Sequence, residues 1–358
     1  MGNVLRGARH RRARLRAFPI KPAGAALFFS RGVFVSIECV TSQDISVLRR
    51  YKRERRDRGN RPIFIFPCGG KESSCASRRH LKEYLAKTKE SDLENVVCLT
   101  AENLIGLREL KGLSLVKQEA ILADMCDWIL IFVESPGSMC ELGIFSSLPH
   151  ALTITSAAVG KEYKDEESFL SGGPLKEIEE SGGPFNKLFY LDLDNPISCP
   201  DLQKALHGLR GAVRNGLSKR KLINQDATRI DVGSLVHELL DLIQVVGPIT
   251  ADELRELYLM VKGFEGDSIK AYSGILNLDL GCETPISYEQ VIGMMKGVEL
   301  IKAVQNSASG KAYLVPLVHL DSYFMFRGAG SRAFAGMHAR ILLRKRKRGI
   351  YCGRNAYC

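Results

Sequence analysis

Two carboxylates in one short stretch are the residues best placed to do chemistry. Between Trp128 and Phe145 the chain reads W-I-L-I-F-V-E-S-P-G-S-M-C-E-L-G-I-F, with Glu134 ahead of a Pro-Gly turn and Glu141 behind it. A carboxylate can attack a sugar's anomeric carbon, orient a ribose hydroxyl or hand a proton to a departing base. The apolar run of six residues before Glu134 reads as a strand buried on both faces of an α/β sheet, which delivers its loop to the carboxyl edge where ligands bind. Ser138-Met139-Cys140-Glu141 also fits an S-x-x-E capping box, in which Glu141 folds back onto the Ser138 N–H. The alternative places Glu141 in the first helical turn, kept ionised by the helix's positive end as a nucleophile, with Gly137 and Gly143 leaving room for a ligand. By spacing alone both stand, and the cap is favoured.

Other elements could complete such a site. Pro62 opens a strand, Ile63 to Phe66, that runs into Pro67-Cys68-Gly69-Gly70, and two glycines let backbone approach a ligand closely. Ser73, Ser74 and Ser77 are N-cap candidates for a helix from Ala76 to Lys87 whose free N–H groups suit a phosphate. The turn is neither G-x-G-x-x-G nor the Lys-bearing phosphate loop, and a plain β-to-α turn explains it as well. A second strand, Asn95 to Thr100, leads to Glu102, which could hold ribose hydroxyls or simply satisfy a helix dipole. Ser114 to Met125 carries a helical apolar stripe, and Glu119 within it reads as solvent-facing.

The elements that must position these groups alternate regularly. Ser42 to Arg58 reads as a surface helix leading in, and Ser138 to Ser147 as the helix after the turn. A strand at Ala151 to Thr155 follows, then two S-G-G-P repeats bracketing Lys176 to Glu180, read as a loop closing over the site. Leu188 to Leu193 is the last strand and Pro200 to Leu217 a helix on the sheet, which predicts a parallel sheet wound on both faces. Beyond a basic linker the character changes. Helices at Val232 to Val245, Ala251 to Met260 (capped by Thr250) and Ser287 to Met295 precede strands at Val298 to Val304 and Ala312 to Val318, with Gly310 in the turn between. That is the element order of a winged helix-turn-helix, although only Lys296, Lys302 and Lys311 decorate it, so protein contacts and single-stranded nucleic acid compete with duplex DNA.

At 358 residues and 45% hydrophobic content the chain supports two globular domains, and no stretch reaches the roughly 20 apolar residues of a membrane span. The net charge of +11 is concentrated at the ends: residues 1–37 hold seven Arg and one Lys, residues 327–358 seven Arg and two Lys, with no acid in either, which leaves −6 between them. Global charge therefore argues little for nucleic-acid binding. The basic N-terminus fits a transit peptide, a disordered arm or translated sequence upstream of the true start; the C-terminal run Arg344 to Arg348 reads as unlike a packed element. Ten scattered cysteines without a C-x-x-C pair suggest reduced thiols in a cytoplasmic protein and no metal site.

The combination of a strand entering C-G-G, E-S-P-G-S-x-x-E-L-G-x-F and a following helical module with a wing closely resembles the retron-associated effectors of the nucleoside 2-deoxyribosyltransferase-like family. The resemblance covers about residues 42–320 and is strongest from Arg61 to Ser146. It implies a Rossmann-like doubly wound sheet followed by a small winged helix-turn-helix domain. The implied division is a basic extension at 1–41, a catalytic domain at 42–217, a linker at 218–231, the winged module at 232–320 and a basic tail at 321–358. It implies N-glycosidase chemistry on a nucleotide such as NAD or a deoxynucleotide, with Glu141 as nucleophile, Glu102 or Glu134 orienting ribose or protonating the base, and no cofactor. Cys68, Gly69, Gly70, Ser135, Pro136, Gly137 and Ser138 map onto the nucleotide pocket. As a phage-defence toxin it would be restrained by the retron reverse transcriptase and its multicopy single-stranded DNA (msDNA), away from membranes, and a homo-oligomer is allowed. Two rivals remain. One is a nucleotide phosphoribohydrolase of the lysine-decarboxylase-like group, whose glycine run Pro136-Gly137-Ser138 lacks; the other is a non-enzymatic nucleotide sensor fused to a DNA-binding regulator.

Overall fold

The computed structural model describes residues 37–54, 62–88, 93, 96–104, 106–183, 185, 187–220, 232–262, 276–277, 285–307, 309–318 and 330–350. The basic N-terminal stretch, the 221–231 part of the linker and the last eight residues lie outside these. At the centre is a five-stranded parallel sheet in the order β2-β1-β3-β4-β5, formed by β1 (Ile63–Cys68), β2 (Val96–Cys98), β3 (Trp128–Phe132), β4 (Thr155–Gly160) and β5 (Leu188–Leu191). Both β1 and β3 are buried along their whole length, as their unbroken apolar runs require. Alternate residues feed two cores. Ile63, Ile65, Trp128 and Leu130 pack with Leu81 of α2 (Ser77–Lys87) and with Leu202, Leu206 and Leu209 of α7 (Pro200–Arg220). Phe64, Phe66, Ile129 and Ile131 face the other way, toward α3 (Leu115–Met125), α4 (Pro136–Ser147) and α5 (Pro149–Ile154). The order reverses between β1 and β3, so a crevice opens at their carboxyl ends.

Four elements differ from expectation. Ala151 to Ile154 continues a helix, because Pro149 sits at an N-terminal position where its fixed φ favours a new helical start, and β4 begins only at Thr155. The acidic segment between the S-G-G-P repeats is the short helix α6 (Lys176–Glu180), and the turn before it packs on α4; Leu175 and Ile178 are buried, so the described part of this segment is anchored rather than an open loop. Helix α1 (Ser42–Glu54) packs on α9 (Ala251–Lys262) and on α11 (Gly330–Lys347), away from the sheet. Helix α11 itself occupies the basic tail. Phe334, Met337 and Ile341 recur at helical spacing between its cations and are buried. The cations are used as well: Arg344 donates to the fully buried carboxylate of Asp44 at 2.6 Å, and Lys345 bonds the Pro248 carbonyl.

The C-terminal half comprises α8 (Val232–Val246), α9, α10 (Tyr288–Gly297) and an antiparallel hairpin of β8 (Ile301–Gln305) and β9 (Ala312–Pro316), with β6 (Leu276–Asn277) and β7 (Pro285–Ile286) as a minor pair. Reciprocal caps start two of these helices, Thr250 with Glu253 and Ser287 with Gln290. Helix α8 is buried on nearly every side, and its apolar residues join the sheet's second core without a break. The His237 ring stacks on Phe64 of β1, centroids 4.4 Å apart and 5° from parallel.

Helix α10 meets the loop that follows β2. Lys296 donates to Glu109 at 2.6 Å, and added Cβ atoms at Gly293 and Gly297 would fall 2.6 Å from Glu109 Cβ and 2.3 Å from Leu104 Cδ2. The two glycines are therefore contact points with the 102–110 turns. Gly293→Ala is expected to cost about 1–3 kcal/mol through overpacking. A lowered urea midpoint with an unchanged slope checks this; an unchanged midpoint would show that the contact yields freely.

Candidate active site in the crevice between β1 and β3

The crevice encloses about 200 Å³ and is lined by Phe66, Pro67, Cys68 and Gly69 from the end of β1, by Lys71 and Arg78, by Ala101, Glu102 and Leu104 after β2, by Leu115, Gln118 and Glu119 of α3, and by Glu141 of α4. It joins residues up to about 75 positions apart, delivered by the ends or first turns of several elements.

Helix α4 begins earlier than the S-x-x-E spacing suggested. Ser135 is its N-cap and Pro136 its first residue, and the capping box joins Ser135 to Ser138: the Ser138 N–H donates to Ser135 Oγ at 3.1 Å and the Ser135 N–H to Ser138 Oγ at 3.0 Å. The Glu134 N–H also donates to Ser138 Oγ, at 3.1 Å. Serines thus take the capping role, and Glu141 is left in the second turn, beyond the reach of the terminal dipole and free to line the crevice. Pro136 and Gly137 lie exposed on the first turn.

Glu134 serves the turn instead. Its carboxylate accepts the Gly70 N–H at 3.0 Å, and the Ser77 hydroxyl lies 2.6 Å away. A Cβ on Gly69 would come within 2.7 Å of Glu134 Oε1, and one on Gly70 within 2.2 Å of Cys75 Sγ. Neither glycine is needed for a positive φ; Gly69 makes room for this brace and Gly70 for Cys75. Arg78 locks the same turn from the other side. Only 8% exposed, it donates to the Gly70 carbonyl through Nε and Nη2, at 3.2 and 2.7 Å, and pairs with Glu102 through Nη1. Burial alone would raise the Glu102 carboxyl; the Arg78 hydrogen bond and charge outweigh it and hold Glu102 below the usual carboxylate range.

Glu119 is the residue that sequence reasoning misplaced. Its helix is covered by α8, so the side read as solvent-facing is the wall of the crevice. Burial, with Glu141 and Glu102 adding negative charge, pushes Glu119 up to about 8. Burial likewise raises Glu141 to about 7, with Glu102 adding to the rise and Arg78 and the Cys68 thiol opposing it. Glu119 Oε2, Glu141 Oε2 and Gln118 Oε1 are all buried and lack a hydrogen-bond partner among the described residues. Three such groups on one crevice are left to pair with a ligand, Gln118 Oε1 as an acceptor and each carboxyl according to its protonation. One signal of Arg78 was available in sequence: a cation in the first turn of α2 opposes the helix dipole and so requires another reason to be there.

The Glu119 shift has a consequence for stability. The folded state keeps a proton that the unfolded chain releases above 4.5, so this group's contribution falls as pH rises from about 4.5 to about 8 and is level above. Glu119→Gln removes that loss. Its Tm is expected to match wild type near pH 4.5 and to exceed it by several degrees at pH 8.5; a constant difference across this range would contradict the buried, raised carboxyl.

The STM3845 retron effector protein family matches residues 74–288, more than half of the chain and inclusive of Arg78, Glu102, Gln118, Glu119 and Glu141. Two curated Escherichia coli proteins are similar. The "Retron Ec86 putative ribosyltransferase/DNA-binding protein" is 36% identical over 122 residues, 34% of this chain and 39% of the relative. The "Retron Ec73 putative ribosyltransferase/DNA-binding protein" is 26% identical over 223 residues, 58% of this chain and 69% of the relative. The first match thus spans well under half of the relative's own length. With the family matched over β2 to β5, the α3 and α4 walls of the crevice and helices α8 and α9, the chain belongs to the STM3845 retron effector family.

Proposed function

We propose that this retron effector is an N-glycosidase that cleaves the base–sugar bond of a nucleotide, with Glu141 as nucleophile and Glu119 as acid and base. The observation that carries the reading is geometric: Glu119 and Glu141, both raised by burial, line one crevice with Glu102 and Arg78, so that one of the pair can be ionised while the other holds a proton. The Glu141 carboxylate attacks C1′; the C1′–N bond breaks and its electrons leave with the base, a purine or pyrimidine taking the proton from Glu119 and a pyridinium departing neutral without one. The glycosyl ester on Glu141 is then opened by water, whose proton returns to Glu119. Glu102, fixed by Arg78, is placed to orient sugar hydroxyls; Lys71 at the mouth suits a phosphate. The Cys68-Gly69-Gly70 and Glu134-to-Ser138 turns form the floor and its support. The two relatives, each designated a "putative ribosyltransferase/DNA-binding protein", support glycosyl transfer as the reaction class.

The helices and hairpin after residue 231 have winged helix-turn-helix order, and we assign them, with α1 and α11, to contacts with the retron reverse transcriptase and its msDNA. Val291 to Met295 of α10 are all buried, so the helix that would enter a major groove is committed to the interior. Lys296 and Lys311 pair with Glu109 and Glu38. Both features favour a restraining role over operator recognition.

Incubation of purified protein with a panel of deoxynucleotides and NAD, followed by chromatography for free base, tests the activity. Wild type should release base, Glu141→Gln should lose release by several orders of magnitude, and Glu119→Gln should lose about 10²–10⁴-fold. Equal release by wild type and Glu141→Gln would remove Glu141 as nucleophile. The pH profile of kcat/KM should peak between about 7 and 8, falling below as Glu141 is protonated and above as Glu119 ionises, the two limbs belonging to the coupled pair. Glu119→Gln should abolish the alkaline limb.

A further inference from the structure

Gln118 is only 7% exposed, lines the crevice beside Glu119, and has one half of its amide already assigned. Nε2 donates to the Leu113 carbonyl at 3.1 Å. A flipped amide would set two acceptors against each other there, so the orientation is fixed by chemistry. Oε1 is left buried, with no partner among the described residues. A buried acceptor without a donor is costly, which makes an N–H the group this position is built to receive. Apolar surface from Phe66, Pro67, Leu104 and Leu115 lies on the same crevice and suits a planar ring.

We propose that Gln118 is a specificity residue whose Oε1 accepts a hydrogen bond from the departing base, so that the crevice selects bases bearing a primary amine or amide beside a lone-pair acceptor. This deepens the glycosidase reading and rests on it for the identity of the ligand as a nucleotide. The two neighbours on α3 present complementary groups, an acceptor at Gln118 and, while Glu119 holds its proton, a donor. A 6-aminopurine matches them with its amino group and N7, and a pyridine carboxamide with its NH₂ and C=O. A 6-oxopurine offers two acceptors on that edge and a pyridine carboxylate offers no N–H, so both leave Gln118 unpaired.

Binding tests this without turnover. Calorimetric titration of full-length Glu141→Gln with dAMP against dIMP, and with nicotinamide mononucleotide against nicotinate mononucleotide, compares ligands that differ at this group. One pair should show the amino or amide member binding about tenfold or more tightly, the size of one hydrogen bond to a buried group, and the pair that does so identifies the source. Adding Gln118→Leu should bring that ratio to about one; Gln118→Met, closer in length, guards against a folding defect, and thermal unfolding of both variants confirms the fold. A ratio near one in both pairs, a preference that survives either Gln118 variant, or no binding of any of the four overturns the inference. Base release by wild type that Glu141→Gln abolishes would meanwhile leave the glycosidase reading standing, so the two can fail separately.

Discussion

A buried guanidinium among three carboxyls sets the electrostatics of the crevice. Arg78 anchors the Gly70 carbonyl, pairs with Glu102, and lies close enough to Glu119 and Glu141 to oppose the rise that burial imposes on both. Without it, the cation that opposes desolvation and mutual repulsion at all three acids within one small space would be lost. With it, one acid is held firmly ionised and the other two are left near neutrality. The turn depends on the same residue, which donates twice to the Gly70 carbonyl and packs where a Cβ on Gly69 would fall.

The strands were legible in the sequence because a parallel sheet demands unbroken apolar runs, and β1 and β3 supply them. Glu141 was also legible as a candidate, but its environment was not. The helix begins at Pro136, so a serine pair satisfies the cap that Ser138 and Glu141 seemed to form. Glu119 was hidden for a different reason. Reading α3 by a single apolar stripe assumes one wet face, whereas the packing of α8 leaves Gln118, Ala120, Ile121, Leu122 and Ala123 buried in succession. Only tertiary context supplies that fact. In α11 the cations masked the spacing of Phe334, Met337 and Ile341, and the acid that receives Arg344 lies 300 positions away.

The helical half is physically joined to the chemistry. Helix α8 covers the helix that bears Gln118 and Glu119, while α10 sits on the turns that bear Glu102 and Leu104. A partner that shifts either helix would move residues on two walls of the crevice, a route by which restraint at a distant surface can reach a carboxyl pair. The raised carboxyls represent stability forgone by the fold at neutral pH, as is common where a site needs groups poised to exchange protons.

The central claim is that Glu141 forms a bond to the sugar. Rapid acid quenching during turnover of the nucleotide from which base is released, followed by peptide mass spectrometry, reads this directly. The account predicts a peptide spanning residues 136–147 heavier by the mass of the sugar moiety, with fragmentation placing the addition on Glu141, and its absence in Glu141→Gln. Base release in burst and steady state with no adduct on that peptide, or an adduct on Glu119 instead, would contradict it.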